Sequence, residues 1–100
     1  MNTYVIRRRS GWATPAELEK GGARSAEVAD SEFPEDIRWI RSYVVPEEDG
    51  TLGTFCIYQA TSDDAIREHA AKVGMPADDI HAVADTVIVR PDPEPAEVAA

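Results

Sequence analysis

Hydrophobic residues along the chain recur with two different periods. Alternation of β-branched and aromatic residues with polar ones predicts four strands, over Thr3–Arg8, Ile37–Val45, Thr54–Ala60 and His81–Val89. Apolar residues at helical spacing predict two helices, from Thr14 toward Ala29 and from Thr61 to Gly74. Within the last strand, the apolar run Val87–Val89 is typical of a well-buried segment.

Local signals support both helix starts. Thr14 precedes a proline and stands three residues before Glu17, the arrangement of a capping box with proline at the first helical position. Ser62 offers a capping oxygen at the start of the second helix, and Gly74 marks its end. The pair Gly21–Gly22 weakens the first helix unless a close approach to the sheet uses the missing side chains.

The order of the elements predicts the fold class. Strand, helix, strand, strand, helix, strand is the order of an α+β, ferredoxin-like βαββαβ sandwich, with an antiparallel sheet and two helices on one face. We expect residues 1–90 to form this domain and residues 91–100, rich in proline and acids, to be a flexible tail. A sheet face with apolar side chains and no helix needs a cover, and a second copy of the chain is the simplest one. The sequence therefore predicts a homodimer of the dimeric α/β-barrel type.

Charge narrows the classes of partner. The 100 residues carry a formal net charge of −9, which argues against nucleic acid and anionic membranes because phosphates need a basic surface. The run Arg7–Arg9 is a local exception. Because the run is short and lies at a strand end, its pattern favours a solvated edge over a polyanion site.

Cysteine content and hydropathy bear on location. The single cysteine, Cys56, cannot form an internal disulfide, so the default environment is a reducing one. The first residues lack the apolar run of a secretory signal, and no segment approaches the length of a membrane span. The sequence thus predicts a soluble cytoplasmic protein.

Most of the candidate chemistry lies between Ile37 and Val73. In a regular strand Trp39, Arg41 and Tyr43 share one face. They suit either a pocket for a planar acid or another small anionic ligand, or a dimer interface. The interface is favoured because Trp, Tyr and Arg are the residue types enriched there.

His69 lies on the apolar side of the second helix, so we expect it to point toward the sheet. If that helix packs on the strand face carrying Cys56 and Tyr58, an imidazole, a thiol and a phenol meet, which suits a soft metal or a thiolate–imidazole pair. The simpler alternative is a buried cysteine beside a histidine hydrogen-bonded to tyrosine or to backbone. Without CxxC or HxxxH spacing, the sequence favours this alternative.

Two segments place a carboxylate near an imidazole. Glu68 precedes His69, and Asp79 lies two residues before His81. Such donors suit nickel, zinc or copper, with water completing the coordination shell. Two histidines per chain cannot form a closed nitrogen site, so a metal would be shared across a dimer, rely on carboxylates and water, or lie at the surface. By spacing alone, the acids before His81 favour a solvated loop.

Three runs of sequence carry a family signal: IRWIRSYVV from Ile37, TFCIYQATSDDAIREHAAKVG from Thr54, and MPADDI from Met75. They resemble a family of small bacterial proteins often described as nickel-binding. Its pattern is Trp-(Ile/Leu)-Arg-Ser-Tyr-Val, then Phe-Cys-(Ile/Val)-Tyr, then Ala-Ile-Arg-Glu-His-Ala, then a glycine and Pro-Ala-Asp. The resemblance covers residues 37–80 and implies a ferredoxin-like homodimer that binds Ni²⁺, with no firmly established catalytic activity.

Two functions follow from these observations. The leading hypothesis is a cytoplasmic homodimer that buffers or senses a divalent transition metal, with candidate ligands at His69, His81, Glu68 and Asp79. The alternative is a small cofactor-independent enzyme with a pocket around His69. In that enzyme His69 would be the general base, Tyr43 or Tyr58 a hydrogen-bond donor and Arg41 the anchor for an anionic substrate.

Overall fold

The computed structural model describes residues 1–95. Its elements are β1 (Asn2–Trp12), α1 (Pro15–Glu32), β2 (Ile37–Pro46), β3 (Leu52–Ala60), α2 (Asp63–Val73) and β4 (Asp79–Ala82). The strands pair antiparallel in the order β2-β3-β1-β4. This element order and sheet order confirm the predicted ferredoxin-like α+β fold.

Both helices cover one face of the sheet. The buried core joins Val28 of α1 and Ile66 of α2 to Ile6 of β1 and Tyr58 of β3. Fully burying an aliphatic or large apolar side chain contributes about 1.5–3 kcal/mol, so this layer supplies the main stabilisation of the fold. We call this side of the sheet the covered face and the other side the open face.

The predicted helix starts are confirmed. The Thr14 hydroxyl accepts the backbone N–H of Glu17 at 3.2 Å, and the Glu17 carboxylate accepts the backbone N–H of Ala13 at 2.9 Å. At α2 the Ser62 hydroxyl accepts the N–H of Ala65 at 3.1 Å. The helix ends at Gly74, whose left-handed backbone (φ 84°) suits glycine because it has no Cβ.

β2 contains a β-bulge, so the prediction that Trp39 shares a sheet face with Arg41 and Tyr43 is wrong. The sequence pattern placed alternate residues on one face: Ile37, Trp39, Arg41, Tyr43 and Val45. In the structure Trp39 lies across from Tyr58 and Arg41 lies across from Ile57, which leaves Ile40 as the extra residue. A bulge that accommodates one residue shifts the alternation after it, so Arg41 and Tyr43 lie on the open face while Trp39 lies on the covered face.

The last strand is shorter than predicted. β4 ends at Ala82, which pairs with Tyr4 of β1, and the N–H of Val83 still donates to the Thr3 carbonyl at 2.9 Å. Strand pairing along this edge of β1 therefore ends near Thr3, and the residues after Val83 are not part of the strand. The prediction that Val87–Val89 is buried is wrong, since these three side chains are 77–84% exposed.

The described part of the C-terminal segment contacts β2. The carboxylate of Asp92 accepts a hydrogen bond from the Tyr43 hydroxyl at 2.7 Å and lies 3.4 Å from Nη1 of Arg41. Residues 96–100, the rest of the predicted flexible tail, lie outside the described residues. Within residues 1–95, neither helix is long and apolar enough to cross a membrane.

Candidate functional site

A cavity of about 270 Å³ lies between α1 and the covered face. Its walls are mostly apolar, and both tryptophans of the chain, Trp12 and Trp39, line it. Gly21 of α1 sits directly against the Trp12 indole, and an added Cβ would collide with its Nε1. Gly21 therefore permits a close approach of helix and sheet at this wall.

Hydroxyl and thiol groups line the floor of the cavity. Nε1 of Trp39 donates to the Ser42 hydroxyl at 2.8 Å, and that hydroxyl donates to Sγ of Cys56 at 3.0 Å. The Thr54 hydroxyl lies 3.2 Å from the same sulfur. Cys56 is a buried free thiol, and both of its side-chain neighbours in this network are hydroxyl groups. The thiolate–imidazole pair with His69, which the sequence disfavoured, does not form among the described residues.

His69 is fully buried and points toward the sheet, as predicted. Its Nε2 lies 3.0 Å from the Ser25 carbonyl, and its ring centroid is 6.0 Å from that of Tyr58. Since a carbonyl only accepts, Nε2 carries the proton of the neutral ring. The Tyr58 hydroxyl in turn lies 3.2 Å from the Ser25 hydroxyl. Ser25 thus holds both rings in place.

Burial governs the titration of these two rings. Burial raises the pKa of the Tyr58 phenol above its usual 10.0, although the Ser25 hydrogen bond and the nearby Arg8 charge each act to lower that pKa. It lowers the pKa of His69 below its usual 6.5, opposed by the Ser25 carbonyl and assisted by the Arg8 charge. Both side chains are therefore neutral near pH 7.

Arg8 corrects the expectation of a solvated arginine edge. Its side chain is fully buried at the cavity, with Nη1 donating to the Pro76 carbonyl at 2.6 Å and Cζ 5.7 Å from the Tyr58 ring centroid. Its neighbours differ: Arg7 pairs with Glu47 at 2.5 Å, and Arg9 is about half exposed beside Asp79. The sequence does indicate that Arg8 is buried, because in an alternating strand it shares the apolar face with Tyr4 and Ile6.

The three residues of the enzyme alternative are not brought together. Tyr58 lines the cavity, His69 lies behind it against α1, and Arg41 lies on the open face beside Asp92. A general base must reach the proton it removes, directly or through one water. Arg8 and Cys56 line the cavity, whereas His69 is not among its lining residues.

The four candidate metal ligands are also dispersed. Asp79 and His81 lie two residues apart on β4, on the open face, with the Asp79 carboxylate 2.7 Å from Nη2 of Arg9. Glu68 is exposed on α2, and His69 is buried on the covered face. Within residues 1–95, no group of three or more His, Cys, Asp or Glu side chains is placed to hold a metal ion. One chain alone does not fit a closed metal site.

Comparisons with known proteins place the chain in a family. The profile described as "Nickel responsive protein SCO4226-like" matches residues 4–83. Among solved structures, SCO4226 from Streptomyces coelicolor A3(2) aligns with a TM-score of 0.69 at 19% identity, covering 85% of this chain and 99% of that one. At this identity the likeness supports the fold alone. A search of curated proteins gives no match. On the family match, the chain belongs to the SCO4226-like family of nickel responsive proteins.

Proposed function

We propose that this protein is a cytoplasmic homodimer that binds a divalent transition metal, nickel by its family, between two copies of the chain. The observation that carries the proposal is the pair Asp79 and His81, which share the open face of an edge strand. A buffering or sensing role follows from such a site, because exposed donors exchange metal readily with solvent.

The open face supports the second copy. It presents Phe55 and Tyr43, which are 40% and 44% exposed, and the exposed run Val87–Val89 follows β4. Large exposed apolar side chains of this kind are typical of interaction sites, and a two-fold dimer uses the same patch on both subunits. Each chain carries a net charge of −9, so a cation held between two copies would also offset part of their repulsion.

Two copies would supply the donors that one lacks. Each contributes one imidazole from His81 and one carboxylate from Asp79, which makes two of each in a dimer. Imidazole and carboxylate with water suit Ni²⁺ and Zn²⁺, and nickel binds nitrogen and oxygen donors more tightly than iron or cobalt does. The salt bridge to Arg9 would have to open for Asp79 to bind metal.

Calorimetric titration of the metal-free protein with NiCl₂, together with sedimentation analysis, tests this proposal. We expect saturable heat with one metal per two chains, and loss of that heat in His81→Ala. Glu68→Ala is the matched control, because it removes an exposed acid beside the buried histidine and should bind nickel as the native chain does. A monomer without saturable heat, or equal binding by His81→Ala, would sink the proposal.

A further inference from the structure

The buried guanidinium of Arg8 has no carboxylate partner among residues 1–95. Its side chain is fully buried, and Nε and Nη2 have no hydrogen-bond partner among residues 1–95. The residues that line the cavity include no Asp or Glu. Arginine keeps its charge at all ordinary pH, and a buried charge left unpaired is strongly destabilising. The fold therefore maintains an unmatched cation at the cavity wall.

The edge of this guanidinium that has no partner among residues 1–95 determines which class of ligand would fit. Nη1 is used by the Pro76 carbonyl at 2.6 Å, which fixes the plane of the group. Nε and Nη2, both buried, are the two parallel N–H donors on the other edge of the group, the geometry that a carboxylate accepts with both oxygens. A neutral ligand would leave the charge unmatched, and a polyanion would bring more charge than one arginine offsets.

The rest of the cavity suits an apolar body. Trp12, Trp39 and Met75 supply flat or flexible apolar walls. The volume of about 270 Å³ lies just below the ~300 Å³ lower end of pockets for drug-sized ligands, so the occupant is smaller than these. We propose that this cavity binds a small organic monocarboxylate with a planar, apolar body, its carboxylate held by Nε and Nη2 of Arg8.

This site does not rest on the metal proposal. The cavity lies on the covered face, whereas Asp79 and His81 lie on the open face. Its residues include the only two tryptophans of the chain, so tryptophan fluorescence reports on it directly. Both functions can therefore be tested separately in one protein preparation.

Titration with benzoate in metal-free buffer is the direct test, with benzamide as a neutral probe of the same shape. We expect saturable quenching by benzoate and binding of benzamide that is roughly 10- to 100-fold weaker, as befits loss of charge-assisted hydrogen bonds. In ¹H–¹⁵N spectra the Nε–H signal of Arg8 should shift with benzoate. Equal binding of both probes, binding of inorganic phosphate alone, or an unmoved Arg8 signal at saturation would overturn the proposal.

Arg8→Met supplies a second arm, with Arg9→Met as the matched control on the neighbouring, exposed arginine. Arg8→Met should lose benzoate affinity by roughly 10- to 100-fold, while Arg9→Met keeps it. Unchanged affinity in a folded Arg8→Met protein would contradict the proposal. If Arg8→Met does not fold, the benzoate–benzamide comparison and the Arg8 signal of the native chain decide the question.

Discussion

The two faces of the sheet carry the same residue types in opposite surroundings. On the covered side, Arg8, Tyr58 and His69 are buried. On the open face, Arg41, Tyr43 and His81 are exposed. Inside, Tyr58 and His69 are held by Ser25. Outside, Arg41 and Tyr43 meet the Asp92 carboxylate of the C-terminal segment. Residue type alone therefore does not assign a role in this chain; the face does.

The difference separates two kinds of chemistry. On the covered face, a guanidinium that has no counter-ion within the described part of the chain lies beside a mostly apolar cavity of the size of a small molecule. On the open face, partly hydrated donors and apolar side chains lie on a broad surface, which suits a second copy of the chain and a metal ion. Each of the following predictions compares a residue on one face with its counterpart on the other, or one wall of the cavity with its neighbour.

The largest contrast is expected between the two tyrosines. Tyr58→Ala removes a 1%-exposed ring from the core and should lower the free energy of unfolding by about 3–5 kcal/mol, as large-to-small core changes do. Tyr43→Ala removes a 44%-exposed ring and should cost far less. Guanidinium denaturation followed by circular dichroism measures both. Equal losses would mean that the open face is as tightly packed as the core.

Replacing the two arginines should affect stability differently. In ligand-free buffer, Arg8→Met replaces an unmatched buried charge by an apolar side chain and should raise the free energy of unfolding by about 2 kcal/mol. Arg41→Met should leave the unfolding midpoint unchanged, because its ion pair with Asp92 is about half exposed to solvent. A lower midpoint for Arg8→Met would show that the Pro76 hydrogen bond outweighs the cost of burying the charge.

The buried histidine should make stability depend on pH. The pKa of His69 is lowered in the folded state, so as pH falls through about 6.5 the imidazole takes up a proton in the unfolded chain before it does so in the folded chain. The free energy of unfolding therefore decreases below about pH 6.5 until the lowered pKa is reached. One proton gives at most about 1.4 kcal/mol per pH unit. His69→Gln should remove this contribution. His81→Gln retains the buried imidazole and therefore the dependence; unfolding curves between pH 7 and pH 5 distinguish the two.

The smallest effect is expected at the helix wall of the cavity. Gly22→Ala places a Cβ 3.6 Å from the Trp39 ring, an ordinary contact, and should raise the free energy of unfolding by about 1 kcal/mol through helix propensity. Gly21→Ala makes the same chemical change but drives the Cβ into the Trp12 indole, so it should destabilise the protein. Thermal denaturation of the two variants provides the comparison. Stabilisation by both would mean that Trp12 moves freely.

Local signals in the sequence were sufficient for the order of the elements. The Thr14 and Ser62 caps, the Gly74 helix end and the inward direction of His69 all depend on residues close in sequence, and all are confirmed. The fold class follows from that order.

The features that sequence reasoning missed depend on partners distant in the chain. The end of β4 depends on its pairing with β1 at the other end of the chain, and the surroundings of Arg8 depend on Pro76, 68 residues away. Likewise, nothing within β2 marks Ile40 as the bulged residue, because the bulge exists only relative to the register of β3. The candidate site was therefore predicted in part: Trp39, Cys56 and Tyr58 line the cavity, while the arginine of the pocket was predicted to be Arg41 instead of Arg8.

The bulge at Ile40 also bears on how relatives of this chain are compared. Trp39 and Arg41, on either side of it, pair with consecutive residues of β3. β2 therefore has one residue more than the number of β3 residues it pairs with. A relative without this residue would keep Trp39 on the covered face and Arg41 on the open face, and its strand would alternate regularly. An alignment that permits a single-residue gap here would therefore match equivalent side chains, whereas an ungapped one would equate residues on opposite sides of the sheet.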